Sequence, residues 1–280
     1  MQANSTFEQL LFTTTRIEAK LKDDSASVGT GSIVGYRVEN RGDVFFLVTN
    51  KHVIKDTSEA VLLFNITEDK RVPLLGKQYR IYLSNFQEGW FGHSQEDIDV
   101  TIMPFSPIVN QLRKDGVLIY FKTISTNLIP TKEQTEQIDA IEDLIFIGYP
   151  NNIYDRANLL PIVRKGTTAT PFSIDYEGKP AFLMDASIFP GSSGSPVFLC
   201  NVGSYSPKGG GVVVGNRIFF LGIVSSVFTI QESNEIEIVD VPTGVQPIIK
   251  TSQMMDLGLV YKSRVIIEVI EDFLRARGEI

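Results

Sequence analysis

At 280 residues, with 43% apolar and 21% charged side chains, the chain can bury a substantial hydrophobic core and has no compositional mark of disorder. Its formal net charge is −7 and its lysines are scattered, which argues against nucleic acid as a partner because phosphate binding needs concentrated Lys or Arg. A single cysteine, Cys200, excludes an intrachain disulfide and favours a reducing compartment, so we expect a cytoplasmic protein.

The first residues predict a short helix rather than a targeting segment. They lack the basic start and apolar core of a signal peptide, and no later stretch is long and apolar enough to span a bilayer. We therefore expect no membrane association. Ser5 and Glu8 have the spacing of a capping box, which favours a helix that begins there.

Short β-forming runs separated by turn residues follow along most of the chain. Regular spacing of this kind is typical of an all-β barrel protein. The polar segment 122–142 contains Pro130 and few aromatic residues, so we predict that it connects two halves. The runs lie at residues 45–48, 60–64, 80–83, 117–121, 144–148, 181–184 and 196–199.

His52, at the end of the first of these runs, is the first candidate for chemistry. The chain has only two histidines, and a random sequence would rarely place one directly after a strand. An imidazole in such a position can act as a general base. The other histidine, His93, lies in a polar loop, and we predict that its side chain is solvated.

Two acids, Asp97 and Asp99, open the next apolar run. They share one face of a strand by the period-two rule, so alternation does not separate them. Residues 100–103 after Asp99 can enter a core, whereas Asp97 is followed two places later by another charge. We therefore favour Asp99 as the partner of His52, with Asp97 as the alternative.

Residues 190–196, Pro-Gly-Ser-Ser-Gly-Ser-Pro, form the most informative stretch of the chain. A serine hydroxyl is a weak nucleophile at neutral pH, so it needs an imidazole to take its proton and a carboxylate to orient that imidazole. Ser193, His52 and Asp99 would fill these roles, in one of the known triad orders. The amides of Gly191 and Ser193 would form an oxyanion hole, and Ser195 would not be the nucleophile.

The apolar period changes after residue 262, where it becomes helical. Ser263 is a candidate N-cap and Gly278 suits the other end, which predicts a helix over 263–278 packed on the barrel, with an oligomerisation helix as the alternative. The apolar stripe consists of Ile266, Val269, Ile270 and Phe273.

These motifs resemble those of trypsin/chymotrypsin-fold serine proteases (the PA clan), and the chain is most similar to bacterial HtrA-type trypsin-like peptidases, without a PDZ domain. The resemblance implies an all-β fold of two six-stranded antiparallel β-barrels with a C-terminal helix. Residues 23–121 would form the first barrel, 122–142 the connection and 143–262 the second barrel, within one unit of residues 1–280. The matching segments are 29–34, 48–54, 185–188 with the serine motif, and 222–227.

The same resemblance implies where a substrate side chain would bind. Ser187 would lie near the base of the pocket for the residue before the scissile bond (P1), with Ile188 beside it. Ser225, Ser226 and Val227 would form a wall. No acid falls at the base, so we expect a small or medium apolar P1 residue rather than Arg or Lys. No cofactor or metal is implied.

Two departures from the family pattern concern regulation and activity. Ser192 replaces the acid that pairs with a newly cut amino terminus in trypsin-like zymogens, so activation by cleavage is not expected. Activity would then be restrained by an activating or inhibiting protein partner, by a mobile loop or by narrow specificity. Ser195 replaces the usual glycine two residues after the nucleophile, which adds a side chain near the active-site turn.

The sequence thus favours a serine endopeptidase that acts on proteins or peptides through an acyl-enzyme intermediate. One alternative is a catalytically silent trypsin-fold module that binds peptides, for which Ser195 is the only hint. The other is a hydrolase of small esters that uses the same triad.

Overall fold

The computed structural model describes residues 2–39, 42–235 and 248–280. Its strands form two large sheets, one on each side of residue 142, and a short hairpin accompanies the second sheet. The strands before residue 142 are β1 (Thr14–Leu21), β2 (Ala26–Val38), β3 (Gly42–Thr49), β4 (Thr57–Thr67), β5 (Pro73–Ser84), β6 (Phe91–Gly92), β7 (Thr101–Pro104), β8 (Ile119–Tyr120) and β9 (Ile124–Ser125). Those after it are β10 (Asp143–Gly148), β11 (Ile162–Thr168), β12 (Ala181–Asp185), β13 (Pro196–Asn201), β14 (Ser204–Tyr205), β15 (Val213–Val214), β16 (Arg217–Glu235) and β17 (Ile248–Lys262).

Helices are short except at the C-terminus. Within the described residues they are α1 (Thr6–Leu10), α2 (Lys51–Ile54), α3 (Ser106–Lys114), α4 (Lys132–Glu136) and α5 (Ser263–Ala276). α1 begins at the predicted capping box, in which Ser5 Oγ accepts the Glu8 N–H and the Glu8 carboxylate accepts the Ser5 N–H. No helix of the described ranges is long and apolar enough to cross a membrane.

The first sheet is open, in contrast to the closed six-stranded barrel that we predicted. Within the described residues it has nine strands in the order β5-β4-β1-β2-β3-β7-β6, with β8 beside β4 and β9 beside β2. Its end strands, β5 and β6, follow each other in the chain but are separated by a 3₁₀ turn, Phe86–Gly89, after Asn85 in the left-handed region (φ +50°). The turn buries Phe86 in the core. β6 has two residues and pairs with β7, and β5 pairs with β4, so no ladder of the described residues joins the two ends of the sheet.

A six-stranded barrel is present in the second half, as predicted. β10, β11, β12, β17, β16 and β13 close on one another in that order. Its interior is filled by alternate side chains of these strands, among them the fully buried Phe146, Phe182, Val197, Leu221 and Val260. β16 and β17 pair from Gly222 with Lys262 to Glu235 with Ile248, which makes them the longest ladder described.

A buried ion pair ties the segment before β10 to the barrel. Arg217 Nη2 lies 2.8 and 2.7 Å from the two carboxylate oxygens of Glu142, and both side chains are more than nine-tenths buried. The Asp139 N–H also donates to Glu142, and Arg217 Nε donates to Asn201. The carboxylate is therefore well satisfied, whereas Arg217 Nη1 has no acceptor within the described residues.

The predicted C-terminal helix is present as α5 and joins the two sheets. Its N-cap is Lys262 rather than Ser263, because Ser263 is already helical and buried at the first position. Gly278 follows the helix with φ +66°, as expected of a residue that ends one. The buried face packs against residues of the first sheet and of the barrel in one cluster, and burial of each large apolar side chain contributes about 1.5–3 kcal/mol. The helix residues in that cluster are Val265, Ile266, Val269, Ile270 and Leu274.

Candidate active site

His52 lies on the one-turn helix α2, directly after β3. Val53 and Ile54 of the same turn are buried in the first sheet, which leaves the imidazole at the surface with half of its side chain exposed. Asn50, the N-cap of α2, is fully buried and donates from Nδ2 to the Asp99 carbonyl oxygen at 2.7 Å. The end of β3 therefore fixes both His52 and the backbone of its acid partner.

Asp99, not Asp97, lies beside His52. Its Oδ2 is 2.6 Å from His52 Nδ1, and its Oδ1 accepts the His52 backbone N–H at 3.1 Å. The Ser225 hydroxyl donates to Oδ2 at 2.8 Å. Burial alone would raise the pKa of Asp99, but the hydrogen bond and charge of His52 and the Ser225 hydrogen bond together lower it. The carboxylate form is thus held in place to accept a hydrogen bond from the Nδ1–H group.

Asp97 lies in the loop before β7, and its side chain is exposed to solvent. Its carboxylate is 3.6 Å from Lys179 Nζ and most of its side chain is exposed. Its backbone carbonyl accepts the Tyr261 hydroxyl at 2.8 Å. Asp97 therefore anchors this segment to β17 through its backbone and does not approach His52.

Ser193 completes a chain of three side chains across the two halves. Its Oγ lies 3.0 Å from His52 Nε2 and 3.0 Å from the Ser225 carbonyl oxygen. Because a proton on Nδ1 satisfies Asp99, the Nε2 lone pair faces the Ser193 hydroxyl. The arrangement can take a proton from Ser193 without moving any heavy atom.

The turn at Ser193 leaves two amides without a protein acceptor among the described residues. Gly191 has φ +90°, and a Cβ there would lie 2.4 Å from the Tyr149 carbonyl oxygen, so only glycine fits. The Asn151 N–H donates to the Pro190 carbonyl at 2.6 Å and holds the preceding peptide. Among the described residues, neither the Gly191 N–H nor the Ser193 N–H donates to a protein acceptor. Both amides are therefore available to a developing oxyanion.

Thr30, on β2, holds this turn from the first sheet. Its N–H donates to the Ser193 carbonyl at 2.9 Å, and its hydroxyl donates to the Gly191 carbonyl at 2.9 Å. Our sequence reasoning noted residues 29–34 as a matching segment but missed this role. Periodicity within one strand gives no information about a partner 160 residues away, so only the docked halves reveal it.

Ser195 is a packing residue and not a second nucleophile. It is fully buried, and its hydroxyl donates to Thr30 Oγ1 at 3.2 Å. A Cβ on Gly148 would lie 2.0 Å from Ser195 Oγ, so the absence of a side chain at Gly148 makes room for this serine. The extra side chain is thus accommodated between Thr30 and Gly148.

Gly194 offers a test of the turn. Its φ is +85°, and a Cβ would lie 2.0 Å from the Thr30 carbonyl oxygen. Gly194→Ala is expected to displace Ser193 and to slow its reaction with a fluorophosphonate by about 100-fold or more. Gly116→Ala is the control, because φ is +78° there but nothing lies within 4 Å. Equal labelling rates for the two variants would show that the contact with Thr30 is unimportant.

Among the residues predicted to bind the P1 side chain, Ser225 contacts Ser193 through its carbonyl oxygen, and two others share one apolar cluster. Ile188 is buried and packs in the same cluster as the half-buried Val227. A Cβ on Gly258 would lie 1.9 Å from Ile188 Cδ1, so the isoleucine fills the space over that glycine. Ser187 is half-buried, Ser225 is buried and Ser226 is exposed.

His93 is buried, which contradicts our prediction of a solvated side chain. It is 9% exposed, its Nε2 lies 3.3 Å from Glu268 Oε2 of α5, and its Nδ1 accepts the Gln95 N–H at 3.1 Å. The local sequence is polar, but α5 covers the loop from a distant part of the chain. No group of three His, Cys, Asp or Glu side chains in the described ranges is placed to hold a metal ion.

Comparisons with known proteins agree with this architecture. A family model described as "trypsin-like peptidase domain" matches residues 29–203, and no curated protein sequence matches the chain. The solved HtrA-type protease AlgW with a tripeptide is similar at a TM-score of 0.50 and 13% identity, over 95% of this chain and 61% of that one. This chain thus spans about three fifths of that protein, and the likeness concerns the fold.

Two further solved structures are similar at lower scores. An active-form protease from M. tuberculosis has a TM-score of 0.48 and 11% identity, over 96% of this chain and 83% of that one. A thermostable serine protease from an extremophilic microorganism has a TM-score of 0.44 and 13% identity, over 92% and 95%.

Proposed function

Because this chain belongs to the trypsin-like peptidase domain family, we propose that it is a serine endopeptidase that cleaves peptide bonds through His52, Asp99 and Ser193. The family acts on proteins or peptides. The observation that carries the proposal is the pair of contacts at His52, 2.6 Å from Nδ1 to Asp99 and 3.0 Å from Nε2 to Ser193. They supply a base at the nucleophile and a carboxylate at the base.

In the acylation half of the reaction, Ser193 Oγ attacks the scissile carbonyl carbon and its proton moves to His52 Nε2. Asp99 stabilises the resulting imidazolium through the Nδ1–H hydrogen bond. The carbonyl oxygen takes up the negative charge and accepts hydrogen bonds from the Gly191 and Ser193 amides. His52 then gives the proton to the leaving nitrogen, the C–N bond breaks and an ester of Ser193 remains.

In the deacylation half, water takes the place of the departed amine. His52 removes one proton from the water as its oxygen attacks the ester carbon, and the same two amides stabilise the second oxyanion. The C–O bond to Ser193 breaks, and His52 returns the proton to Oγ. The products are the new carboxyl terminus and the free serine.

The test of the proposal is covalent labelling of the folded protein by a fluorophosphonate. The probe reacts with a serine whose hydroxyl is activated by a base, so we expect one label, located on Ser193 by mass spectrometry of the digested protein. A folded protein that takes no label, or takes it elsewhere, would contradict the proposed triad.

We also propose that the P1 residue is small or medium-sized and apolar. Ile188, packed over Gly258 and in one cluster with Val227, supports an apolar pocket. The family resemblance places a serine, Ser187, near its base. Ile188→Ala is expected to shift the preference of a peptide library towards larger apolar P1 residues by about 10-fold or more, because each methylene in such a pocket matters by 10–200-fold. Cleavage mainly after Arg or Lys in the wild type would refute the assignment.

Within the same proposal, the protein works in the bacterial cytoplasm under the control of a protein partner that activates or inhibits it. The single cysteine supports a reducing compartment, and burial raises the pKa of the Cys200 thiol to about 12, so the thiol is unreactive. Fractionation of the host cells tests the location, and recovery outside the cytoplasmic fraction would contradict it.

A further inference from the structure

Lys51, the residue before His52, binds the backbone of the loop that carries the catalytic acid. We call this loop, residues 93–99, the acid loop. An ammonium group has three N–H donors, and Lys51 Nζ has three carbonyl acceptors in the acid loop, so its donor capacity is filled. The acceptors are the carbonyl oxygens of His93 at 2.9 Å, Gln95 at 2.8 Å and Glu96 at 3.4 Å.

The stem of this lysine packs against the chain just before the acid loop. A Cβ on Gly92 would lie 2.9 Å from Lys51 Cε, so the stem crosses the backbone directly before the acid loop. Burial lowers the pKa of Lys51, while the charges of Asp99, Glu96 and Asp97 act in the opposite direction. The side chain is therefore held by packing along its stem and by hydrogen bonds at its end.

The acid loop needs a cation at this place. Three carbonyl dipoles converge on one point, and three carboxylates occur within four residues, at positions 96, 97 and 99. Without a positive charge, converging carbonyl oxygens repel one another and the carboxylates. The loop is also held by hydrogen bonds from the Tyr261 hydroxyl to the Asp97 carbonyl, from Asn50 to the Asp99 carbonyl and from the His93 N–H to the Val100 carbonyl, none of which brings a charge.

We propose that Lys51 is a positioning residue that fixes the acid loop so that Asp99 meets His52 Nδ1. The inference rests on the proposed serine endopeptidase function. Because Lys51 and His52 are adjacent on α2, one helical turn carries the base and also grips the loop of its acid partner. Lys51 thereby joins the element that carries the base to residues 93–96 of the acid loop, and it adds to the hydrogen bond from Asn50 to Asp99.

The test is Lys51→Met, which keeps the stem and removes the ammonium group. We expect fluorophosphonate labelling to slow by about 10–100-fold, the size of effect that small misplacements produce. With an ester substrate, kcat is expected to fall while KM changes little, because Lys51 contacts the acid loop and none of the residues proposed to bind substrate. Lys51→Arg, which keeps a cation with several donors, is expected to recover part of the rate.

Lys55→Met is the matched control. Lys55 is exposed at the end of α2, and its replacement by methionine removes the same charge as Lys51→Met. Urea unfolding of all variants shows whether a slow rate reflects a less stable fold. Labelling of Lys51→Met at the rate of Lys55→Met would overturn the proposal. An equal loss of rate in Lys51→Met and Lys55→Met would also overturn the proposal, because the loss would then come from the change in net charge.

A second readout does not require turnover. The proton between His52 Nδ1 and Asp99 gives a far-downfield NMR resonance when the two groups are held together, and we expect Lys51→Met to shift or broaden it while Lys55→Met leaves it unchanged. An unchanged resonance in Lys51→Met would overturn the proposal. If the wild-type protein took no label, the endopeptidase proposal would fail by itself, and the resonance would still decide the role of Lys51.

Discussion

Ser193→Ala is expected to abolish fluorophosphonate labelling and to lower peptide hydrolysis by about 10⁴–10⁶-fold, the loss that follows removal of a member of a Ser-His-Asp triad. The reason is chemical: the variant keeps the oxyanion amides and the His52–Asp99 pair, but no oxygen remains 3.0 Å from Nε2. His52→Ala and Asp99→Asn are expected to label very slowly. Labelling rates and single-turnover kinetics of purified variants measure these losses.

Ser192→Ala is the matched control for this experiment. Ser192 is the neighbouring serine, it is buried, and its hydroxyl has no partner among the described residues. Its removal is expected to leave labelling near the wild-type rate, because alanine leaves no buried hydroxyl unsatisfied. Labelling that survives in Ser193→Ala would place the nucleophile elsewhere.

Other outcomes would select between the alternative functions. A folded wild-type protein that takes no label but binds peptides would indicate a silent peptide-binding module. Turnover of small esters with no cleavage in a peptide library would indicate an esterase that uses the same triad. Ser195, the one sequence hint for the silent module, is buried and donates to Thr30.

Arg217→Met is expected to lower the free energy of unfolding by about 3–5 kcal/mol, the largest effect on stability that we predict. The substitution leaves the Glu142 carboxylate, more than nine-tenths buried, without its cation. Methionine fills most of the volume of the arginine, so the loss reflects the unpaired charge more than a cavity. Urea unfolding followed by circular dichroism measures the change.

The double variant Glu142→Gln with Arg217→Met separates charge from packing. A neutral amide can still accept the Asp139 N–H, so we expect the double variant to be more stable than Arg217→Met alone. Arg37→Met is the control, since the Arg37–Asp43 pair is exposed and its loss is expected to change stability little. A cost for Arg217→Met no larger than that for Arg37→Met would contradict the prediction.

The sequence predicts the role of a residue here when its immediate neighbours in the chain form a recognisable motif. His52 directly follows a strand, and Ser193 lies in a turn framed by glycines, so short motifs located both. Asp99 followed from the apolar residues after it, and the structure places it beside His52. The amphipathic period of α5 was likewise readable from a single segment.

What escaped prediction depends on contacts between distant segments. Thr30, the hydroxyl of Ser225 and the ammonium of Lys51 act on residues that only the folded chain brings near. His93 was assigned to solvent because its sequence neighbours are polar, but α5 covers it. The first sheet is open because β5 and β6 are not paired in the described residues, and β-propensity does not reveal which strands pair.

The hydrogen bonds from Thr30 to the nucleophile turn have a consequence for synthesis on the ribosome. All strands of the first sheet precede residue 126, whereas Ser193 and then Ser225, which donates to Asp99, come later in the chain. Under the proposed function, a growing chain therefore has no activated serine until both serines have left the ribosome and the two halves have docked. The order of residues along the chain would thus protect unfinished copies and their neighbours from cleavage.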